Sequence, residues 1–180
     1  MQALTFSTRG LPPSTLTPTT LPLPSPPPGT LLIRTSHASL SPGAAIMMAI
    51  FPSIAYRYPA IPELDFSGTV VAAHPTHSGA DQADSSTFKP GDLVFGSIPV
   101  GLHLHGVGSL AEYIVLPPST VAHLPSHPSI SEADMLVQAA GLPVSGCTAL
   151  ALLKAAKLEA GMRVLVNGAS GGVGSLVVQM

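Results

Sequence analysis

The chain has 180 residues, of which 46% are hydrophobic and only 9% are charged, and its formal net charge is −2. Its seven Lys and Arg residues are too scattered to form a basic face, which excludes a nucleic-acid surface and attraction to an acidic membrane. The single cysteine, Cys147, excludes an internal disulfide and a four-cysteine zinc lobe, so a reducing, cytoplasmic setting is the simplest interpretation. No stretch is long and apolar enough to predict a membrane span.

Short strands separated by turn residues are predicted in the first part of the chain. They cover residues 2–7, 30–35, 65–73, 93–96 and 110–116. Many prolines in residues 11–29 predict an extended surface loop without helix, the alternative being a partner-binding proline motif. A polar loop is expected at residues 74–87. This order indicates a β-rich, barrel-like domain at residues 1–125.

Helical spacing replaces alternation in the second part of the chain. Ser131, with a carboxylate on Asp134 three residues later, is typical of a helix start. Residues 144–158 are rich in Ala and Leu and predict a longer helix, which Gly161 is expected to stop. These helices would link the β-rich domain to whatever follows.

The most informative motif lies near the end of the chain. An apolar run at 164–166 leads into Gly168, Ala169, Ser170, Gly171, Gly172, Val173 and Gly174. A strand, a glycine-rich turn and a helix in this order form the front half of a dinucleotide-binding βα unit, in which the diphosphate lies on backbone amides at the helix N-terminus. The alternative is a merely structural turn between a strand and a helix.

The chain stops soon after this motif, although a nucleotide-binding fold needs several more strands to bury its first one. We therefore expect residues 126–180 to hold linking helices and the first βα unit of an incomplete, C-terminally truncated Rossmann domain. The predicted fold class is α+β followed by α/β.

Five motifs in order along the chain carry a family resemblance. They are ASLSPG at 38–43, PAIPELDFSG at 59–68, FKPGDLVFG at 88–96, LPVSGCTAL at 142–150 and VLVNGASGGVG at 164–174. Together they resemble the medium-chain dehydrogenase/reductase superfamily, in its quinone oxidoreductase (zeta-crystallin-like) and enoyl reductase branch. The resemblance implies a GroES-like β-rich catalytic domain, a Rossmann domain and an active site in the cleft between them. It also implies that a full-length protein could form a homodimer.

The resemblance also bears on zinc. The zinc-ligand positions of the family's zinc alcohol dehydrogenases fall on Ser41, Leu64 and Leu142, none of which can hold the metal. We therefore expect no metal site. His103 and His105 alternate like residues on one face of a strand, but two histidines without a third ligand are typical of a loop or surface.

Without a metal, the resemblance implies transfer of a hydride from NADPH to a small quinone or α,β-unsaturated carbonyl compound, whose conjugation spreads negative charge onto oxygen. It places Ser41 in the substrate pocket and Thr148 beside the nicotinamide, and Tyr58 would polarise an oxygen or supply a proton. The alternatives are a packed Tyr58 and a Thr148 hydroxyl bonded to the backbone. Asp65 is expected to accept bonds from backbone donors, and Cys147 to be a buried, inert thiol.

Two hypotheses of different classes follow. The first is an NADPH-dependent, zinc-independent oxidoreductase that reduces quinones or enones. The second is a truncated, catalytically inactive remnant that acts at most as an interaction or folding module, with the apolar run at 164–166 left exposed. Binding of NADPH separates them.

Overall fold

A five-stranded antiparallel sheet dominates the computed structural model, which describes residues 1–51, 54, 56–74 and 88–180. Its spatial order is β6-β3-β4-β5-β7, and its strands are β3 (Thr30–Ala38), β4 (Asp65–His74), β5 (Leu93–Ser97), β6 (Tyr113–Leu116) and β7 (Val121–His123). Apolar runs bounded by glycine and proline predicted the first four of these strands, and the structure confirms them. The predicted polar loop at 74–87 lies outside the described residues except for His74, which ends β4.

The N-terminal segment forms a second, two-stranded sheet of β1 (Gln2–Thr5) and β2 (Thr17–Thr20), with a one-turn helix α1 (Pro12–Thr15) between them. The prediction of a loop without helix over residues 11–29 was wrong in its first half. Prolines fit the first turn of a helix because the amides there have no acceptor within the helix. Pro18 fits β2 because that strand is hydrogen-bonded along only one of its two edges, so its other edge needs no amide donor.

The main core lies on the five-stranded sheet. Phe66 of β4 is fully buried, and its ring lies so close to Gly96 of β5 that a Cβ at that glycine would be 3.2 Å from the ring. The buried members of this core are Leu31, Ile33, Phe66, Val70, Phe88, Val94, Ile98, Ile114 and Leu116. Their close packing fixes β4, whose first residue, Asp65, reaches the site described below.

The described residues also form five further α-helices and a 3-10 turn at Pro118–Thr120; the helices are α2 (Pro42–Ile50), α3 (Val100–Leu104), α4 (Glu132–Ala139), α5 (Pro143–Ala156) and α6 (Gly172–Gln179). The α4 start is as predicted, because the Ser131 hydroxyl accepts a hydrogen bond from the Asp134 amide at 3.2 Å. The predicted stop of α5 at Gly161 was wrong, since Lys157 already ends the helix in the left-handed conformation, with φ 48°. Helices α4 and α5 both pack on β4 and β5.

Among the described residues, no single helix is long and apolar enough to cross a membrane. Helices α4 and α5 pass the length and composition test only as a pair, bent by 64° at the break between them.

The apolar run at 164–166 was predicted as a strand, and in the described part of the chain it pairs with no other segment. A strand needs a neighbour to take up its amide and carbonyl groups, and no described segment runs alongside this one. Leu165 is accordingly 93% exposed. The run leads, as predicted, through a turn at 167–170 into α6.

Candidate active site

A cleft of about 300 Å³ lies where the sheet, α5 and the glycine turn meet. The loop that leads into α2 and the residues at the start of β4 form one wall. The first turn of α5 and the first residue of α6 form the other. The lining residues are Ser39, Leu40, Ser41, Pro42, Glu63, Leu64, Asp65, Gly141, Val144, Ser145 and Gly172.

Ser41 is fixed at the edge of this cleft by two hydrogen bonds. It caps α2, and its hydroxyl oxygen accepts a bond from the Ala44 amide at 3.1 Å. Its own amide donates to Oε2 of Glu63, also at 3.1 Å. The structure therefore places Ser41 at this cleft and joins it to a carboxylate, Glu63, for which no role was expected from the sequence.

Glu63 is the missed residue, and its backbone is unusual. It has a φ of 68°, in the left-handed region that residues other than glycine rarely adopt. Neighbouring backbone holds it there, because the Ser109 amide donates to the Glu63 carbonyl and the Ile98 amide donates to the Leu64 carbonyl, each at 3.0 Å. The side chain is only 7% exposed. Burial raises the pKa of Glu63, the bonds from Ser41 lower it, and the nearby Asp65 charge raises it further.

Asp65 ties the two walls of the cleft together. Its Oδ2 accepts a hydrogen bond from the Val144 amide at 3.0 Å, which confirms that it serves a backbone donor. The residue is 8% exposed, and its Oδ1 makes no hydrogen bond in the described structure. Burial raises the pKa of Asp65, and the Val144 amide and the nearby Ser97 hydroxyl lower it in part. The start of α5 is thereby held against the start of β4.

The glycine turn closes the cleft from the side of α6. Gly168 has a φ of 79°, and a Cβ at Gly174 would lie 2.1 Å from the Gly168 carbonyl oxygen, so both positions require glycine. A Cβ at Gly172 would lie 3.2 Å from Oγ of Ser145 across the cleft. Ala169, Ser170 and Val173 complete the predicted set within the same turn and the first turn of α6.

This turn fits a diphosphate. The first amides of a helix, here those of residues 172–174, have no acceptor within the helix, and they carry the positive end of its dipole. Gly171 and Gly174 present no side chain that would keep an anion away from these amides. The turn is also exposed.

An apolar pocket of about 670 Å³ adjoins the cleft and shares Leu64 and Val144 with it. Cys147 lines this pocket and is exposed, so the prediction of a buried thiol was wrong: the face of α5 that carries it looks into the pocket. Thr148 is also exposed, and its hydroxyl donates to the Val144 carbonyl at 2.7 Å. That bond is the backbone alternative considered above, and it leaves the Thr148 oxygen able to accept another bond.

The structure does not bring Tyr58 together with Ser41. Tyr58 packs edge-on against Phe6, with ring centroids 5.7 Å apart, in a second core cluster that also contains Tyr56, and its buried hydroxyl has no partner in the described structure. His103 joins this cluster from α3, so its predicted strand and surface position were wrong. An i, i+2 pair of histidines fits a helical turn as well as a strand.

The buried position of His103 predicts how the free energy of unfolding depends on pH. Its Nδ1 donates to the Val107 carbonyl at 3.1 Å, which leaves Nε2 to accept from the Tyr56 hydroxyl at 3.3 Å and keeps the ring neutral. Burial lowers the pKa of His103, with part of that effect offset by Val107. Below about pH 6.5 the unfolded chain therefore binds a proton that the folded chain does not, and the free energy of unfolding falls as the pH drops.

Urea unfolding of the chain and of His103→Gln, compared between about pH 7 and pH 5, measures this effect. We expect the stability advantage of the chain over the variant to shrink toward pH 5. The buried carboxyl groups change the free energy of unfolding in the opposite direction as the pH falls, but they do so equally in the chain and in the variant, so their effect cancels in the difference between the two. His105→Gln is the matched control, since His105 is an exposed histidine two residues further on, at the end of α3. An advantage that does not change with pH would contradict the buried neutral ring.

The described residues contain no group of three or more His, Cys, Asp or Glu side chains that could hold a metal ion. Ser41 and Leu64, at two of the positions considered for zinc, both line the cleft. Leu142 lies at the start of α5, beside Gly141.

Comparisons with known proteins match this geometry. Residues 27–126 match the alcohol dehydrogenase GroES-like domain. The medium chain reductase pydE of Acremonium is 36% identical over 88% of this chain and 47% of its own length. The trans-enoyl reductase poxH of Penicillium oxalicum is 29% identical over the whole chain and 53% of its own length. The chain thus spans about half the length of the curated relatives it matches.

Solved structures agree. A quinone oxidoreductase from Coxiella burnetii has a TM-score of 0.80 and 29% identity, over 99% of this chain and 52% of that one. Mycobacterial Rv1454c, solved in complex with NADPH, has a TM-score of 0.74 and 28% identity, over 99% of this chain and 49% of that one.

Proposed function

This chain belongs to the medium-chain dehydrogenase/reductase superfamily, in its quinone oxidoreductase and enoyl reductase branch, and on that premise we propose an NADPH-dependent, zinc-independent reduction of quinones or α,β-unsaturated carbonyl compounds. Residues 1–125 form the catalytic domain in this proposal, and residues 126–180 contribute the linking helices and the start of the cofactor domain. The supporting observation is that Gly172 of the glycine turn lines the same cleft as Ser41, Glu63 and Asp65.

When bound, NADPH supplies a hydride. The amides of residues 172–174 would hold its diphosphate, and Thr148 would offer its hydroxyl oxygen to the nicotinamide carboxamide. The apolar pocket beside the cleft would take the flat ring or chain of the substrate, because its lining is mostly apolar. Ser41 would orient the substrate oxygen through its hydroxyl group, which the bond from the Ala44 amide holds at the edge of the cleft.

Zinc independence in this proposal is supported by the kinds of side chain that line the cleft. The cleft offers hydroxyl and carboxyl oxygens without a histidine or a cysteine among its described lining residues. Catalytic zinc sites in proteins use three protein ligands, most often with imidazole or thiolate among them. Substrates that accept a hydride without a Lewis acid suit such a cleft.

Titration of the purified chain with NADPH, followed by nicotinamide fluorescence, tests this proposal. We expect saturable binding at micromolar concentrations, about −8 kcal/mol in free energy. Addition of naphthoquinone should then oxidise the bound nucleotide, which is measured as loss of the nicotinamide fluorescence. Binding that stays linear with NADPH concentration, in a chain whose circular dichroism shows a folded β-rich domain, would contradict the proposal.

That negative outcome would favour the second hypothesis, a module without catalytic activity. The observation in its favour is the exposed apolar surface around residues 164–180. Its exposed side chains include Val164, Leu165, Val178 and Met180. Exposed apolar side chains promote association where they form one patch. Sedimentation at increasing protein concentration would then show reversible self-association in place of nucleotide binding.

A further inference from the structure

We propose that Glu63 is the proton donor of this site, and that its neutral carboxyl group donates a proton to the substrate oxygen on which negative charge develops. This inference rests on the proposed function and adds to it a residue and a role. A proton donor is needed because hydride transfer to a conjugated carbonyl leaves an electron pair on oxygen. Tyr58, the donor expected from the sequence, lies outside the residues that line the cleft.

The position of Glu63 supports this role. Its side chain lines the cleft, is 7% exposed, and is bonded through Oε2 to the Ser41 amide, on the wall where Ser41 would orient the substrate oxygen. Its left-handed backbone is unfavourable for a side chain and is maintained by hydrogen bonds from two other segments to the carbonyls around it. Strain of this kind persists where the surrounding fold imposes it, and it commonly accompanies function.

The charges around Glu63 favour its neutral form. None of the described residues that line the cleft is Lys, Arg or His, so no cation offsets a carboxylate there. Asp65 is the other titratable group that lines the cleft, and its charge opposes ionisation of Glu63. Burial and this neighbour together raise the pKa of Glu63, while the Ser41 bonds limit the rise. A neutral carboxyl group can donate a hydrogen bond, whereas a carboxylate can only accept one.

The proton step balances. When bound, NADPH would supply the hydride with its electron pair, so that the substrate would be reduced and the nucleotide oxidised. The pair displaced from the carbonyl π bond settles on oxygen, where a new O–H bond forms as the O–H bond of Glu63 breaks. The Glu63 carboxylate then takes a proton from solvent water through the cleft. One substrate molecule, one NADPH and one proton are consumed in total.

Naphthoquinone binding as a function of pH tests this inference without turnover. The chain, Glu63→Gln and the control Glu132→Gln are each titrated between about pH 4 and pH 8, by quenching of tyrosine fluorescence. Glu132 is exposed in the first turn of α4, so the control makes the same chemical change outside the cleft. For the chain and the control, we expect affinity to fall about fivefold as Glu63 ionises, which corresponds to one lost hydrogen bond.

Glu63→Gln keeps an N–H donor at every pH, so its affinity should change clearly less over this range than that of the chain, with only the Asp65 titration left in the cleft. An infrared spectrum of the bound quinone at low pH should also show a carbonyl band shifted to lower frequency by the hydrogen bond. The same pH profile in Glu63→Gln as in the chain, or no saturable quinone binding at low pH, would overturn the inference. NADPH titration of the same samples separates the two proposals. If the chain binds NADPH but its quinone affinity does not depend on Glu63, only the role of Glu63 as proton donor is refuted.

Discussion

Replacing Gly174 with alanine is expected to weaken NADPH binding by about 100-fold or more. A Cβ at this position would lie 2.1 Å from the carbonyl oxygen of Gly168, 2.8 Å from its carbonyl carbon and 2.9 Å from Cα of Ala169. These are backbone atoms, so they cannot move aside as the end of a flexible side chain can. The turn must open, and the amides of residues 172–174 then no longer converge on one diphosphate.

Fluorescence titration with NADPH measures the effect, and Gly146→Ala is the matched control. Gly146 lies inside α5, where an added Cβ meets no atom within 4 Å. Alanine there should leave NADPH affinity unchanged and stabilise the chain by about 0.5–1 kcal/mol through its helix propensity. Equal NADPH affinity in Gly174→Ala and in the unmodified chain would show that the glycine turn does not bind the diphosphate.

Replacing Phe66 with alanine is expected to lower the free energy of unfolding by about 3–5 kcal/mol. The side chain is 0% exposed at the centre of the sheet, where Phe66 pairs with Ala38 of β3 on one side and Gly96 of β5 on the other. Its removal leaves a cavity over Gly96 that the surrounding strands cannot fill without distorting the sheet. Since domains are stable by only about 5–15 kcal/mol, this loss is a large part of the total.

Urea unfolding measures this loss, with Ile54→Ala as a control for removal of an apolar side chain that is 97% exposed. The control should change stability by no more than about 0.5 kcal/mol. A Phe66→Ala loss below about 1 kcal/mol would mean that β4 is not the fixed element that holds Asp65 at the cleft.

Local patterns were sufficient for four of the five strands of the main sheet and for the glycine turn. Residues 30–35 and 65–73 are apolar runs between turn residues, and both are strands. The fold class, a GroES-like β-rich domain followed by a partial Rossmann unit, is confirmed by the matched family and the solved structures. The requirement for glycine at 168 and 174 arises within one turn of the chain, inside the glycine-rich segment that the sequence singled out.

The assembly of the cleft could not be predicted from local sequence patterns. Asp65 and Val144 meet across 79 positions of sequence, and no local pattern records that bond. Glu63 was missed although carboxylates are rare in this chain and two of them flank Leu64, a signal that could have drawn attention to the segment. The resemblance implied a role for Tyr58 beside the substrate, whereas its ring packs against Phe6 in a core cluster.

A crystal structure of the chain with NADPH bound tests the proposed site most directly. We expect the diphosphate on the amides of residues 172–174 and the nicotinamide ring in the cleft between Ser41 and Ser145, with the Glu63 carboxyl group beside the vacant substrate position. A nucleotide bound elsewhere on the chain, or a nicotinamide ring pointing away from Ser41, would contradict it.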